Sequence, residues 1–289
     1  MKLLVTGATG KLGTKVVDTL LKTVPAEQLA VSVRNPEKAE GLRARGVEVR
    51  QGDFDQPQTL DTAFAGIDRL LIISADGDNE TRIRQHTDAV AAANRAGVKF
   101  IAYTSLANAT ESKNLMAPPH VATEAAIIKT GIPYSFLRNN WYLENEIGSI
   151  QGVLAGAPWV TSAGAGKVGW ALQQDYADAA AAVLSGNGHE NTVYELSGTL
   201  LTQEELVTAL GHVLGKEIPV QQVNDETYAE IMKGLGLPDF VIPIVVGIQE
   251  SIRNGSLAVG SNDFEKVLGR PVTPISEALE QIVKEISSL

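Results

Sequence analysis

Three glycines near the start of the chain, Gly7, Gly10 and Gly13, stand at spacing three in Met1-Lys-Leu-Leu-Val-Thr-Gly-Ala-Thr-Gly-Lys-Leu-Gly. Glycines so spaced can serve a phosphate. The first permits a tight turn, the second lets backbone approach a pyrophosphate, and the third lets a helix pack close on a strand. The helix that follows aims free N–H groups and the positive end of its dipole at the anion. A glycine triplet alone is weak evidence. Here it lies after an apolar strand pattern and before a helical one, which is the context that dinucleotide binding requires.

Arg34 is the next residue with chemistry to offer. It closes the apolar stretch Leu29-Ala-Val-Ser-Val33, about 20 residues past the glycine turn, where a dinucleotide fold meets the adenosine ribose. An acid there would accept from the ribose 2′-hydroxyl. A guanidinium instead pairs with a 2′-phosphate through its fork of donors. The spacing therefore predicts NADP rather than NAD, against the alternative of a solvated arginine in a turn. Asp53, with Phe54 as apolar cover, ends a third strand and can meet the adenine amino group. The alternative for Asp53 is a turn cap, a place that Asp favours. Ser74, at the end of a fourth strand, is predicted to sit over the cofactor crevice.

Other chemistries are excluded. No tyrosine has a lysine four residues on: Tyr103, Tyr134, Tyr142, Tyr176, Tyr194 and Tyr228 are followed there by Ala107, Arg138, Glu146, Ala180, Gly198 and Met232. A tyrosine made acidic by such a lysine is therefore not the proton donor. The chain has no cysteine, which removes disulfides, thiol catalysis and cysteine metal sites, and no metal is expected. A net charge of −10 argues against nucleic acid and against an anionic membrane surface as partners. The longest apolar run, Phe240 to Val246, is short and broken by Pro243, so no membrane span is expected and the chain reads as cytoplasmic.

The elements that must position these residues follow from periodicity. Apolar runs read as strands near 2–5, 29–33, 46–53, 69–74, 99–105 and 133–138. Helical spacing separates them, with Leu12, Val16, Val17, Leu20 and Leu21 on one face of the first helix. Further helices are predicted over 58–64, 82–96 and 120–130, the last after a polar loop at 106–119. Strands alternating with helices specify an α/β fold, a doubly wound parallel sheet of Rossmann type with right-handed crossovers. Residues 152–169 read as a crossing between lobes. A small-residue helix at 175–184 and a strand at 191–196 are expected to return to the sheet. From the capping box at Thr202 and Glu205, a strand at 218–223 and helices near 226–233, 241–254, 263–268 and 275–287 form a smaller, mostly helical C-terminal lobe. The expected division is residues 1–147, also receiving 175–197, against 148–289. Asn140, Trp141 and Tyr142 follow the sixth strand directly. They are predicted to line a pocket that stacks a flat substrate, against the alternative of a well-packed corner.

Thr6 to Gly13, Val33 to Lys38, Val98 to Ser105 and Leu137 to Asn145 together resemble the NmrA-like, atypical short-chain dehydrogenase family. The likeness is strongest to its bacterial NADPH-dependent quinone oxidoreductases and runs over nearly the whole chain. It implies NADPH in the crevice and hydride transfer to a quinone bound between the lobes. It implies that Gly7, Thr9, Gly10, Lys11 and Leu12 form the phosphate loop, that Arg34 meets the 2′-phosphate, and that Asp53, Phe54 and Ser74 surround the adenosine. Thr104 and Asn140 to Tyr142 match the nicotinamide and quinone end, with Tyr142 a catalytic candidate. Plant isoflavone-reductase relatives carry a lysine where this chain has His120. Imidazole can move a proton near neutrality, so His120 is a candidate acid, or else an inert histidine at a helix start. A family alternative is a redox sensor that binds the dinucleotide without turnover. A monomer or homodimer is expected.

Overall fold

The computed structural model describes residues 1–288. The chain opens with β1 (Leu3–Thr6), α1 (Lys11–Leu20), β2 (Leu29–Val33), a short 3-10 turn and α2 (Glu40–Ala44), β3 (Glu48–Gln51) and α3 (Gln58–Phe64). It continues with β4 (Arg69–Ile72), α4 (Asn79–Arg95), β5 (Phe100–Leu106), α5 (Ala117–Thr130) and β6 (Tyr134–Asn139). Short elements follow: β7 (Trp141–Tyr142), α6 (Ile147–Leu154), β8 (Trp159–Thr161), β9 (Lys167–Val168) and β10 (Trp170–Ala171). Then come α7 (Gln173–Ser185), β11 (Thr192–Leu196), β12 (Leu201–Thr202), α8 (Gln203–Leu214), β13 (Val220–Gln222), α9 (Asp225–Gly234), α10 (Ile242–Arg253), α11 (Asp263–Leu268) and α12 (Ile275–Ser287).

Seven strands form one parallel sheet in the order β11-β6-β5-β4-β1-β2-β3. The order reverses between β1 and β4, so the crevice opens at the carboxyl ends of those strands. Successive side chains of a strand point to opposite faces, and the two faces bury separate cores. Leu3, Val5, Val31 and Leu71 pack with α1, α7 and Phe264 of α11. Leu4, Ala30, Leu70 and Ile72 pack with α3, α4 and α5. A third core joins Trp159, Trp170, Leu206, Leu210, Ile252 and Leu279 in the smaller lobe.

Two helix starts lie earlier than periodicity suggests, for identifiable reasons. The Asp78 side chain accepts from the Thr81 N–H and so opens α4 at Asn79. Pro118 and Pro119 fall in the first turn of α5. Proline is at home there because those N–H groups have no helical partner in any case. The smaller lobe also holds more strand than expected. The stretch 152–169 ends α6 and contributes β8 and β9, and three two-stranded ladders (β7 with β10, β9 with β12, β8 with β13) stitch the lobe together. The capping box at Thr202 and Glu205 forms as expected. Among the described residues no helix is long and apolar enough to cross a membrane.

Candidate functional site

At the carboxyl ends of the sheet lies a cavity of about 1180 Å³. One end is the glycine turn. Gly7 adopts φ +61°, a left-handed conformation that glycine takes at little cost. The Gly10 N–H closes the turn onto Gly7 O at 2.9 Å. A Cβ on Gly13 would lie 2.2 Å from Gly7 O and 2.8 Å from the Ala8 Cα. Only glycine lets α1 rest on the turn. The start of α1 has no side-chain cap and no acid in its first turn, so its N–H groups are left for a ligand.

The residues around this end suit a phosphorylated dinucleotide. Thr9, Gly10, Lys11 and Leu12 line the cavity, as do Arg34, Asp53, Phe54 and Ser74. Lys11 and Arg34 are exposed, and neither side chain makes a hydrogen bond or ion pair among the described residues. The Ser32 hydroxyl is buried without a partner on the same wall. A Cβ on the neighbouring Gly52 would lie 2.1 Å from it. Free cations, free helix N–H groups and an orphan hydroxyl make up a donor set for phosphate and ribose oxygens. Asp53 serves its own turn as well as the wall: Oδ1 accepts from the Asp55 N–H at 3.0 Å, and the backbone N–H donates to Thr59 Oγ1 at 2.9 Å.

The other end is built on β4, β5 and the segment after β6. Thr104 Oγ1 accepts from the Ser74 N–H at 2.9 Å, which fixes both residues on the cavity wall. Tyr142 also lines the cavity. Its hydroxyl accepts from Asn139 Nδ2 at 3.0 Å, and its ring packs edge-on against Tyr176 at 4.9 Å. Burial pushes the Tyr142 phenol up to about 12. It therefore stays protonated near neutrality and can donate a hydrogen bond, but it is no base. Met116, Ile244 and Ile248 give this end an apolar wall.

Three expected site residues are placed elsewhere. Asn140 does not line the cavity; its Nδ2 donates to Ser197 Oγ at 3.2 Å and Leu257 O at 3.0 Å, tying the end of β6 to the lobe. Trp141 is likewise off the wall, because its indole N–H donates to Glu146 at 3.2 Å. Trp170 donates to the same Glu146 oxygen at 3.0 Å. A half-buried carboxylate thus ties two indoles together at this corner, and burial raises the Glu146 pKa. His120 lies behind the wall. Its Nε2 accepts from Arg82 Nη2 at 3.0 Å and its Nδ1 meets the Tyr103 hydroxyl at 2.9 Å. An arginine only donates, so the His120 lone pair is engaged and the ring is the neutral Nδ1–H tautomer. Burial, with the Arg82 charge second, brings it down to about 3. A proton-donating role for His120 does not fit these contacts.

Arg82 itself was not singled out by the sequence. It lines the cavity, and its Nη2 also donates to Ser74 Oγ at 2.8 Å. Its position on a charged helix reads as solvated surface. Only the fold brings it to Ser74 and His120.

The buried imidazoles carry a pH dependence. His86 accepts from the Ala75 N–H at 2.9 Å and is brought down to about 4 by burial and by Arg82. His120 lies lower still. In the unfolded chain both titrate near 6.5. Above that value they cost nothing. As pH falls below it, the unfolded chain takes up protons that the folded chain refuses. Stability is then expected to drop by up to about 1.4 kcal/mol per pH unit for each imidazole, until the folded values are reached. Urea unfolding near neutrality and near pH 5 checks this, and His120→Asn should make the fall shallower. An unchanged slope would mean that folded His120 takes up its proton as readily as in the unfolded chain.

A parallel sheet in this order, with a glycine turn feeding a helix at its switch point, defines a dinucleotide-binding protein of Rossmann type. The model of the NmrA-like family matches residues 1–284, and the chain belongs to that family. It is 39% identical over 279 residues to quinone oxidoreductase 2 of Escherichia coli, covering 96% of this chain and 97% of that protein. The crystal structure of that NADPH-dependent quinone oxidoreductase with NADPH superposes with a TM-score of 0.93, over 97% of this chain and 99% of the other. Triphenylmethane reductase of Citrobacter sp. in complex with NADP(H) also superposes at 0.93, with 42% identity, over 97% of this chain and 100% of the other.

Proposed function

We propose that this protein is an NADPH-dependent reductase of a quinone, or of a similarly flat conjugated carbonyl compound, with the acceptor bound between sheet and lobe. It is an oxidoreductase and its cofactor is NADP(H). One observation carries the reading: a single cavity joins a phosphate-binding end to an apolar end beside Thr104 and Tyr142. The volume exceeds the usual 300–1,000 Å³ of a small-ligand site, as two ligands held side by side require.

When bound, NADPH supplies the hydride. The chain's own residues do the rest by placing the reactants. The glycine turn and α1 N-terminus hold the pyrophosphate, with Lys11 beside it. Arg34 pairs with the 2′-phosphate, while Asp53 and Phe54 bound the adenosine side. Thr104 and Ser74 fix the wall at the reacting end. Tyr142, still protonated, hydrogen-bonds an acceptor oxygen. Met116, Ile244 and Ile248 cover a flat ring and exclude water around it. No side chain is needed as a strong acid, because a reduced quinone takes its proton from water. Orientation is then the main catalytic contribution. We retain 1–147 with 175–197 as the cofactor unit and 148–289 as the acceptor lobe.

The test is optical: NADPH oxidation with a panel of small quinones, with NADH beside it and a control without acceptor. Quinone-dependent oxidation with an NADPH preference is expected. Tight NADPH binding without turnover on any acceptor would sink the reading and favour a redox sensor.

A further inference from the structure

Arg82 is a buried cation without an anion. Its residue is 7% exposed, yet no carboxylate pairs with it among the described residues. Asp76 acts on it only at a distance. The other buried arginines are answered: Arg138 by Glu124 and Glu195, and Arg69 by Glu190 and two carbonyls at the end of α7. Arg82 has only neutral partners. Nη2 is used twice, on Ser74 Oγ at 2.8 Å and on His120 Nε2 at 3.0 Å. Nε is buried with no partner. Nη1 makes no bond among the described residues and is not among the buried unpaired atoms. Since the residue lines the cavity, that N–H group is the part left for a ligand.

Leaving a guanidinium buried and unpaired is costly, and an arginine cannot shed its charge. The surrounding groups do not relieve it. His86 and His120 are held neutral by burial and by this charge. Burial raises the Tyr103 phenol to about 12, so it too is uncharged. The chain therefore fixes a positive charge rigidly, through Ser74 and His120, at one point of the wall. That point is on the β4 and α5 side, with Thr104, and across the switch point from Arg34, which follows β2. Arg34 and Lys11 already serve the phosphate end.

We propose that Arg82 holds the acceptor oxygen and takes the negative charge that develops there during reduction, with His120 as its positioning residue. This rests on the reductase reading. Hydride brings two electrons and one hydrogen to the quinone. Both carbonyl π bonds give way as the ring becomes aromatic: one oxygen ends as O–H carrying the transferred hydrogen, the other as C–O⁻, and a proton from water on that second oxygen completes the hydroquinone, while NADPH becomes NADP⁺. A fixed cation beside the oxygen stabilises that anion more than the neutral quinone, which is how a preorganised charge accelerates a reaction. The same site takes phenolates and aromatic carboxylates as ligands.

The experiment uses 4-nitrophenol, whose ionised form absorbs in the visible, on protein saturated with NADP⁺ so that the phosphate end is covered. The bound phenol is expected to ionise at least about one pH unit below the free phenol, a tenfold preference for phenolate. Arg82→Met should abolish that difference, and Arg82→Lys should keep part of it. NADPH affinity, read by cofactor fluorescence, should change less than threefold in Arg82→Met. Should that variant fail to fold, calorimetry on the unaltered protein compares benzoate with benzamide, and a tenfold preference for the anion is expected. An equal phenol shift in Arg82→Met, a tenfold loss of NADPH, or no preference for benzoate overturns the proposal. If quinones are reduced but the phenol shift is independent of Arg82, the reductase reading stands and this assignment fails. If no quinone is reduced yet phenolate binds through Arg82, the anion site stands and the reductase reading falls.

Discussion

Arg34→Ala is expected to raise the Kd for NADPH by roughly 10–150-fold, the 1.5–3 kcal/mol of a lost charged hydrogen bond, and to leave NADH nearly unchanged. The residue is exposed at the cavity edge and has no partner among the described residues. Removing it therefore breaks nothing within the fold. The extra phosphate of NADPH is the only difference between the two cofactors, so the ratio of affinities isolates that contact. Fluorescence titration of both cofactors reads it. Equal losses for NADPH and NADH would mean that Arg34 acts on the shared adenosine, not on the phosphate.

Glu124→Ala is expected to lower the unfolding free energy by about 3–5 kcal/mol, the effect of stripping one partner from a buried ion pair. Arg138 grips Glu124 with two bonds, Nε to Oε1 at 2.9 Å and Nη2 to Oε2 at 2.7 Å. The side chains are only 11% and 5% exposed. The carboxylate holds the Arg138 pKa above its usual range. Ser105 Oγ also donates to Glu124 at 2.6 Å and would be orphaned with it. Glu195 pairs with the remaining Arg138 nitrogen at 3.1 Å, which cushions the loss. Glu195→Ala should cost less, because the two-bond grip on Glu124 survives. Urea unfolding of both variants decides the order. A loss of under about 1 kcal/mol for Glu124→Ala would mean that water reaches Arg138 freely.

The cofactor end was legible in the sequence because its determinants are local. A glycine turn, the helix it feeds and the residue closing the next strand are fixed by spacing alone, and Gly13 and Arg34 lie where spacing put them. The order of the sheet was legible too, since apolar runs alternating with helical periods admit few topologies. The acceptor end was not, because long-range partners decide it. Trp141 faces Glu146 and shares that carboxylate with Trp170, so the aromatic pair Trp141-Tyr142 divides: one ring goes to the lobe core and one to the cavity. No local pattern distinguishes the two. His120 looked like a proton carrier by position, but its lone pair is claimed by Arg82, thirty-eight residues earlier. Prolines 118 and 119 looked like loop residues because a first-turn proline and a loop proline read alike.

The path of the chain between sheet and lobe has a bearing on how such proteins diversify. After β7 the chain enters the lobe, returns to the sheet as α7 and β11, leaves again, and sends α11 back against both. The lobe is thus no cassette. A chain cut after residue 147 would bare the β6 edge that β11 covers and the face of α1 that α7 covers. Bare strand edges invite pairing with other chains. On the proposed reading, new acceptor preferences in this architecture come from point changes along the cavity wall, at places such as Met116 beside the sheet and Ile244 and Ile248 in the lobe, because exchanging the lobe as a block would take part of the sheet with it.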